Sequence, residues 1–240
     1  MRYALLIVLS LLSMAARAGD SDYVFEPSVE AGEREVDFKL GAAKNPDDAS
    51  TQAGSLGFGY GAKPWWFTEF YAKYKREDGR TFFDAFEWEN KLQLTDPGRY
   101  PVDVGWIVEL ERPHDRAEGY ELKLGPLLQK EFGRLQLNAN VLVQRIFDSA
   151  ASDGTELGYQ WQAKYRWRQQ LEFGAQGFGE LGDWTHWLPS SEQNHRWGPA
   201  VFGKLPIEGR RAIRYNSALL FGLTRASPDQ TLRLQVEYEF

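Results

Sequence analysis

The sequence predicts an all-β fold: an antiparallel up-and-down transmembrane barrel of about twelve strands. Three observations carry that prediction. Segments in which apolar and polar residues alternate recur along most of the chain, the period-two pattern of strands with one face in lipid. The alternation runs to the last residue, since Leu232, Leu234, Val236, Tyr238 and Phe240 share one face while Arg233, Gln235, Glu237 and Glu239 share the other. Composition supplies the third. Mean hydropathy is −0.51, yet 15% of residues are aromatic, nine of them Trp. Beyond the N-terminus no apolar run approaches the roughly 20 residues of a membrane helix. A barrel reconciles these facts, because half of each strand meets lipid and aromatic girdles mark the interfaces.

Taken in order, residues 1–18 read as an export signal. Arg2 is the positive start, Ala4 to Ala16 is a low-polarity run too short to span a bilayer, and Ala16-Arg17-Ala18 is a cleavage site. Losing Arg2 and Arg17 takes the formal net charge from −6 to −8, which argues against a nucleic-acid partner. There is no cysteine, hence no disulfide framework and no thiolate metal site. Residues 19–32, with Asp20, Asp22, Glu26, Pro27 and Glu30, read as an irregular periplasmic leader whose stretch Tyr23 to Glu30 is placed to enter the lumen from below. The barrel proper is expected over 33–240.

The first three strands are expected at Glu35 to Leu40, Leu56 to Tyr60 and Trp66 to Tyr74. The fourth, Thr81 to Leu94, sends Phe86, Trp88, Leu92 and Leu94 outward, and the fifth Val102, Val104, Trp106, Val108 and Leu110. The sixth uses Tyr120, Leu122, Leu124 and Leu128. The seventh uses Leu135, Leu137, Ala139, Val141 and Val143, with Gln136, Asn138, Asn140 and Gln144 inward. The eighth shows Tyr159, Trp161, Tyr165 and Trp167 outward, the ninth Leu171, Phe173 and Ala175; the tenth centres on Val201. The eleventh carries Ile213, Tyr215, Leu219 and Phe221, and the twelfth ends the chain. If the first strand rises from the periplasm, the even-numbered connections are short periplasmic turns and the odd ones include the longest, Gly182 to Arg196. Asn90 and Pro126 fit the lipid face badly, predicting a bulge or a register slip; Asp84 and Arg145 also point outward, near the extracellular rim.

The ending Glu237-Tyr-Glu-Phe240 resembles the final strand of bacterial outer-membrane barrels, where a C-terminal Phe after alternating apolar residues is the assembly signal. The resemblance implies that Tyr238 and Phe240 address the barrel-assembly machinery, and that lipid and lipopolysaccharide of the outer membrane surround the protein. Leu171-Glu-Phe-Gly through Trp197-Gly-Pro-Ala, followed by Leu220-Phe-Gly-Leu-Thr, resembles a group of porin-like proteobacterial barrels. Some of these are associated with degradation of aromatic compounds. This implies passage of small organic solutes and supplies no catalytic residue.

The inward residues divide by charge. Strands three to six offer an acidic wall of Glu69, Glu87, Glu89, Asp103, Glu109, Glu111 and Glu121; strands eight to eleven offer a basic wall of Lys164, Arg166, Arg168, Lys204 and Arg214. Closure sets the two arcs across the lumen. The expected function is a porin-like channel for passive passage of small polar or aromatic solutes, with these residues lining the pore. The alternative is a closed structural or docking barrel whose lumen is filled by ion pairs. The loop residues Trp184, His186, Trp187 and His195 are expected at the mouth. A third reading, a lipid hydrolase, draws on Ser190 or Ser191, His186 or His195, and Asp183 or Glu192. Nothing resembles the His-x-Ser-Asn-Gly signature of outer-membrane phospholipases, so no enzyme is expected. No cofactor and no metal are expected, because His186 and His195 lack a third ligand nearby and His114 lies in another loop.

Overall fold

The computed structural model describes residues 21–46, 50–77, 79–149 and 154–240. The expected signal segment and its cleavage after Ala18 lie outside the described residues. The strands are β1 (Arg34–Lys44), β2 (Ser50–Lys63), β3 (Trp66–Glu77), β4 (Arg80–Gln93), β5 (Asp103–Pro113), β6 (Tyr120–Phe132), β7 (Leu135–Phe147), β8 (Thr155–Arg168), β9 (Leu171–Asp183), β10 (Asn194–Pro206), β11 (Ala212–Gly222) and β12 (Gln230–Glu239). Each pairs antiparallel with its neighbours in sequence, and β12 pairs with β1 to close the barrel. Twelve strands and full closure are as the sequence predicts. Closure leaves no open sheet edge, which is what lets strands cross lipid without unsatisfied backbone groups.

Exposure inverts that of a water-soluble protein. Along β1, Val36, Phe38 and Leu40 face out while Asp37 and Lys39 are buried. On β3 and β4, Phe70 and Phe86 are 60% and 62% exposed, whereas Glu69 and Glu89 are each 2% exposed. An apolar surface running round the whole barrel is stable only against lipid, and it rules out a secreted sandwich with an apolar core.

The positions that fit the lipid face badly have local explanations. Asn90 stands opposite Thr68 in unbroken register, and its Oδ1 accepts from the Trp66 indole N–H at 3.0 Å; Trp88 likewise donates to Thr68 Oγ1 at 2.8 Å. The amide and hydroxyl are thus satisfied by girdle tryptophans. At Pro126 the β6–β7 pairing is interrupted between Leu124 and Leu127 without a change of register, so neither a bulge nor a slip occurs. Asp84 departs from expectation. The β3–β4 register shifts beside it, a bulge, and its carboxylate pairs with Lys75 at 3.0 Å. Arg145 remains exposed, its guanidinium over the Phe147 ring.

The loop asymmetry is weaker than the sequence suggests. The barrel end that holds the start of β1 and the end of β12, periplasmic in the orientation expected above, carries the tight turns 64–65, 133–134 and 169–170. However, 94–102 on the same side is long, and at the other end β3 and β4 are separated by only two residues. The longest outer loop shrinks to 184–193, because β9 extends to Asp183 and β10 begins at Asn194.

Candidate functional site in the lumen

The lumen is crossed by the chain's own N-terminal segment. Gly32 donates its N–H to the Gly61 carbonyl at 2.8 Å and Gly61 returns one to Glu33 at 2.9 Å, fastening the leader to the periplasmic end of β2. From there it climbs inside the barrel. The Val29 N–H meets Gln93 Oε1 at 2.8 Å. The Glu26 carboxylate receives Lys164 Nζ and Gln136 Nε2, both at 2.9 Å, and Gln162 Nε2 at 3.3 Å. Phe25 donates its N–H to Gln160 Oε1 and accepts from Asn140 Nδ2 at 3.1 Å. Tyr23 donates its hydroxyl to Glu89 Oε2 at 2.6 Å.

Successive side chains reach opposite walls. Val24 packs among Phe178, Ala200, Phe202, Ala218 and Leu220 of β9–β11, and Phe25 among Ile107, Leu127 and Leu142 of β5–β7. Burial raises the Glu26 carboxyl, but Lys164, with Arg214 and the Gln136 amide, outweighs it and brings the pKa to about 2. Burial and the carboxylates of Glu89, Glu69 and Asp37 push the Tyr23 phenol well up, so it stays a donor.

The acidic wall is built as rows. Register places Glu35, Gly59, Glu69, Glu89 and Glu109 side by side on β1 to β5, and Asp37, Gly57, Tyr71, Glu87, Glu111 and Glu121 on β1 to β6. Adjacent strands lie about 4.8 Å apart, and like charges opposite one another repel. Lysines on the same wall relieve part of this. Lys73 Nζ lies 2.9 Å from Glu87 and 2.5 Å from Glu111; Lys123 lies 2.9 Å from Glu109 and 3.9 Å from Glu121; Lys39 lies 3.5 Å from Asp37. Two absent side chains make room. A Cβ at Gly57 would strike the Tyr71 ring and Glu69 Oε1, and one at Gly59 would strike Phe67 and Glu35. Glu87, Glu89 and Glu109 come close enough to hold a cation, but Lys73, Tyr23 and Lys123 respectively occupy them.

The basic wall is neutralised locally as well. Lys164 pairs with Glu26, Arg166 with Glu131 at 2.6 Å, and Lys204 and Arg214 both with Glu239. Two expected wall residues lie elsewhere. Asp103 caps the 94–102 turn, accepting the Gly98 N–H at 2.7 Å. Arg168 ends β8 at the periplasmic rim, exposed, its guanidinium over the Trp167 ring.

Between the walls an amide network bridges β6 to β9 and β12. Asn138 donates to Gln129, Gln136 to Gln129 and Asn138, Gln162 to Asn138, Gln176 to Gln162, and Arg233 to Gln176. On the periplasmic side of the leader a cavity of about 570 Å³ remains, with Glu35, Glu69 and Glu237 facing Lys164 and Arg214.

The outer loop does not fold into the mouth. Trp184 and Trp187 are exposed. His195 belongs to β10 on the outward phase, where its Nδ1 meets Tyr159 Oη at 2.9 Å and its Nε2 meets Gln193 Oε1 at 2.7 Å. His186 Nδ1 meets Thr185 Oγ1, and Asp183 accepts from Thr185 and the His186 N–H. Neither imidazole contacts Ser190 or Ser191 among the described residues, so the parts of a triad are not assembled. Phe240 donates its N–H to the Arg34 carbonyl at 2.8 Å, and its ring stacks on Tyr238 facing outward.

The anchoring positions of the leader are not among the residues expected from the sequence. A signal for them existed: Ile107, Leu127, Leu142, Phe178, Phe202 and Leu220 are apolar residues on the otherwise polar phase of their strands, which implies an apolar partner inside.

No protein-family model and no curated protein sequence matches the chain. Its fold is similar to that of an outer membrane channel from Pseudomonas putida F1, with a TM-score of 0.59 at 10% identity over 94% of this chain and 98% of that one. It is also similar to the translocator domain of the autotransporter NalP from Neisseria meningitidis, with a TM-score of 0.50 at 10% identity over 99% and 93% of the two chains. The shared feature is the closed antiparallel β-barrel fold.

Proposed function

Proceeding from an outer-membrane β-barrel threaded by its own leader, we propose that the protein is a channel for small polar or aromatic solutes, held closed by residues 21–31. The observation that carries this reading is the way the leader is attached. Among the described residues, Tyr23 to Val29 make no backbone pairing with any strand; side chains alone hold them. The barrel's ladder is complete without them. Removing the leader therefore opens the lumen without opening the wall. A polar lining of amides, carboxylates and lysines suits solutes that carry hydrogen-bonding groups, and the P. putida neighbour is an outer membrane channel. Tyr238 and Phe240 are assigned to recognition by the assembly machinery, and lipopolysaccharide to the outer rim.

A second reading, the closed structural or docking barrel, is favoured by the two apolar clusters that lock Val24 and Phe25. Lipid hydrolysis stands third and lacks geometry. Single-channel recording in planar bilayers separates the first two. The intact chain is expected to show small or rare openings and the variant lacking residues 21–31 larger, discrete steps. A deleted barrel that is folded and heat-modifiable yet silent ends the channel reading.

A further inference from the structure

We propose that the periplasmic half of the lumen is a binding site for an organic cation, with Glu35, Glu69 and Glu237 receiving its ammonium or guanidinium group. The inference names a solute class for the channel proposed above and rests on that reading for its purpose, although binding is measurable on the closed barrel.

Among the described residues no lysine or arginine is ion-paired with these three carboxylates, although Arg214 stands opposite Glu237 in the β11–β12 register. Lys39, Lys73 and Lys123 go to Asp37, Glu87, Glu109, Glu111 and Glu121. Lys204 and Arg214 both go to Glu239, which stands opposite Glu35 across the β1–β12 seam. Glu237 accepts a Gln235 amide at 2.8 Å. Lys91 sits 5.0 Å over the Phe67 ring and makes no ion pair among the described residues. Glu69 is 2% exposed, lines the cavity, and its Oε1 has no hydrogen-bond partner. An acceptor enclosed without a donor is costly, about 1–3 kcal/mol or more for a charged group, and a cationic guest removes that cost.

The protein itself shows what guest the wall takes. Lys39 Nζ lies 3.7 Å from the centroids of both Tyr23 and Tyr71, beside Asp37. An ammonium between aromatic faces and a carboxylate is thus already part of this lumen, and Phe67 offers a ring next to Glu35 and Glu69. Calcium needs six or more oxygen ligands; rings take the place of such ligands here.

The test is isothermal titration of the full refolded barrel in detergent with benzylammonium, benzyl alcohol, benzoate and calcium chloride, on the unaltered chain, Glu69→Gln and Glu35→Gln. Benzylammonium is expected to bind most tightly, and at least about tenfold more weakly to each variant, a loss of roughly 1.4 kcal/mol or more. Both variants are expected to remain heat-modifiable on gels, since they remove repulsion rather than contacts. Tighter binding of benzoate, a Glu69-dependent calcium signal without benzylammonium binding, or no binding of any probe overturns the site. Conductance of the same preparations keeps the two proposals apart. A barrel that binds but never conducts after leader deletion retains the site and loses the channel; one that conducts without binding does the reverse.

Discussion

The two sides of the lumen are both polar, but they solve the problem of enclosed polarity differently. The β6–β9 wall is lined with Gln and Asn, which donate and accept, so Gln129, Asn138, Gln162 and Gln176 satisfy one another. The β1–β5 wall is lined with carboxylates, which when ionised only accept. It relies on a few lysines, on Tyr23 from the leader, and in places on nothing. On one wall neutral amides satisfy one another, and its Lys164 takes a partner, Glu26, from the leader. The other is left with an appetite for cations.

Four experiments break or sharpen this contrast. The largest effect is expected from Lys73→Met, which strands Glu87 and Glu111 together; losing one member of an enclosed ion group costs about 3–5 kcal/mol, read as a fall in the unfolding midpoint in denaturant. On the amide wall, Asn140→Leu removes the donor to Phe25 and Gln160 and is expected to cost about 1–3 kcal/mol. Equal losses for the two variants would erase the distinction.

The third uses pH, through Glu26, a leader carboxylate that bridges to the amide wall. Glu26 is held down to about 2, so its contribution to docking is complete above the ordinary carboxylate pKa, about 4.3. It is lost as pH falls towards 2. Channel openings should rise as the pH is lowered from 5 to 3, and this rise should be absent in Glu26→Gln, where the ionisable partner of Lys164 is gone. The smallest effect has the opposite sign. Glu69→Gln lowers repulsion along the row Glu35, Glu69, Glu89 and is expected to stabilise the barrel by up to about 1 kcal/mol.

Much of the barrel was legible in the sequence because its physics is periodic. Alternation assigned Gln136, Asn138 and Asn140 to the lumen and Val141 and Val143 to lipid, and the apolar ending marked the closing strand. What depends on partners across strands was not legible. Alternation set two charged arcs across the lumen, but it could not say which residues pair within an arc, such as Lys73 with Glu87 and Glu111, because only the register reveals that. The bulge at Asp84 shifts one residue and leaves no compositional trace. His195 read as a loop residue because Asn194-His-Arg-Trp lacks clean alternation, although pairing with β9 makes it strand. The leader's anchoring points inside the lumen were the largest gap, since its hydrophobic partners lie on six different strands.

The meeting of the chain ends has a consequence for engineering. Phe240 is hydrogen-bonded to Arg34 at the periplasmic rim, so a short linker from 240 to 34 could join the ends while new ones are cut in the exposed loop 184–193. Such a circular permutant would keep every strand neighbour. It would also part the plug from the cylinder, allowing residues 21–33 to be supplied as a separate peptide and their affinity for the empty barrel to be titrated directly.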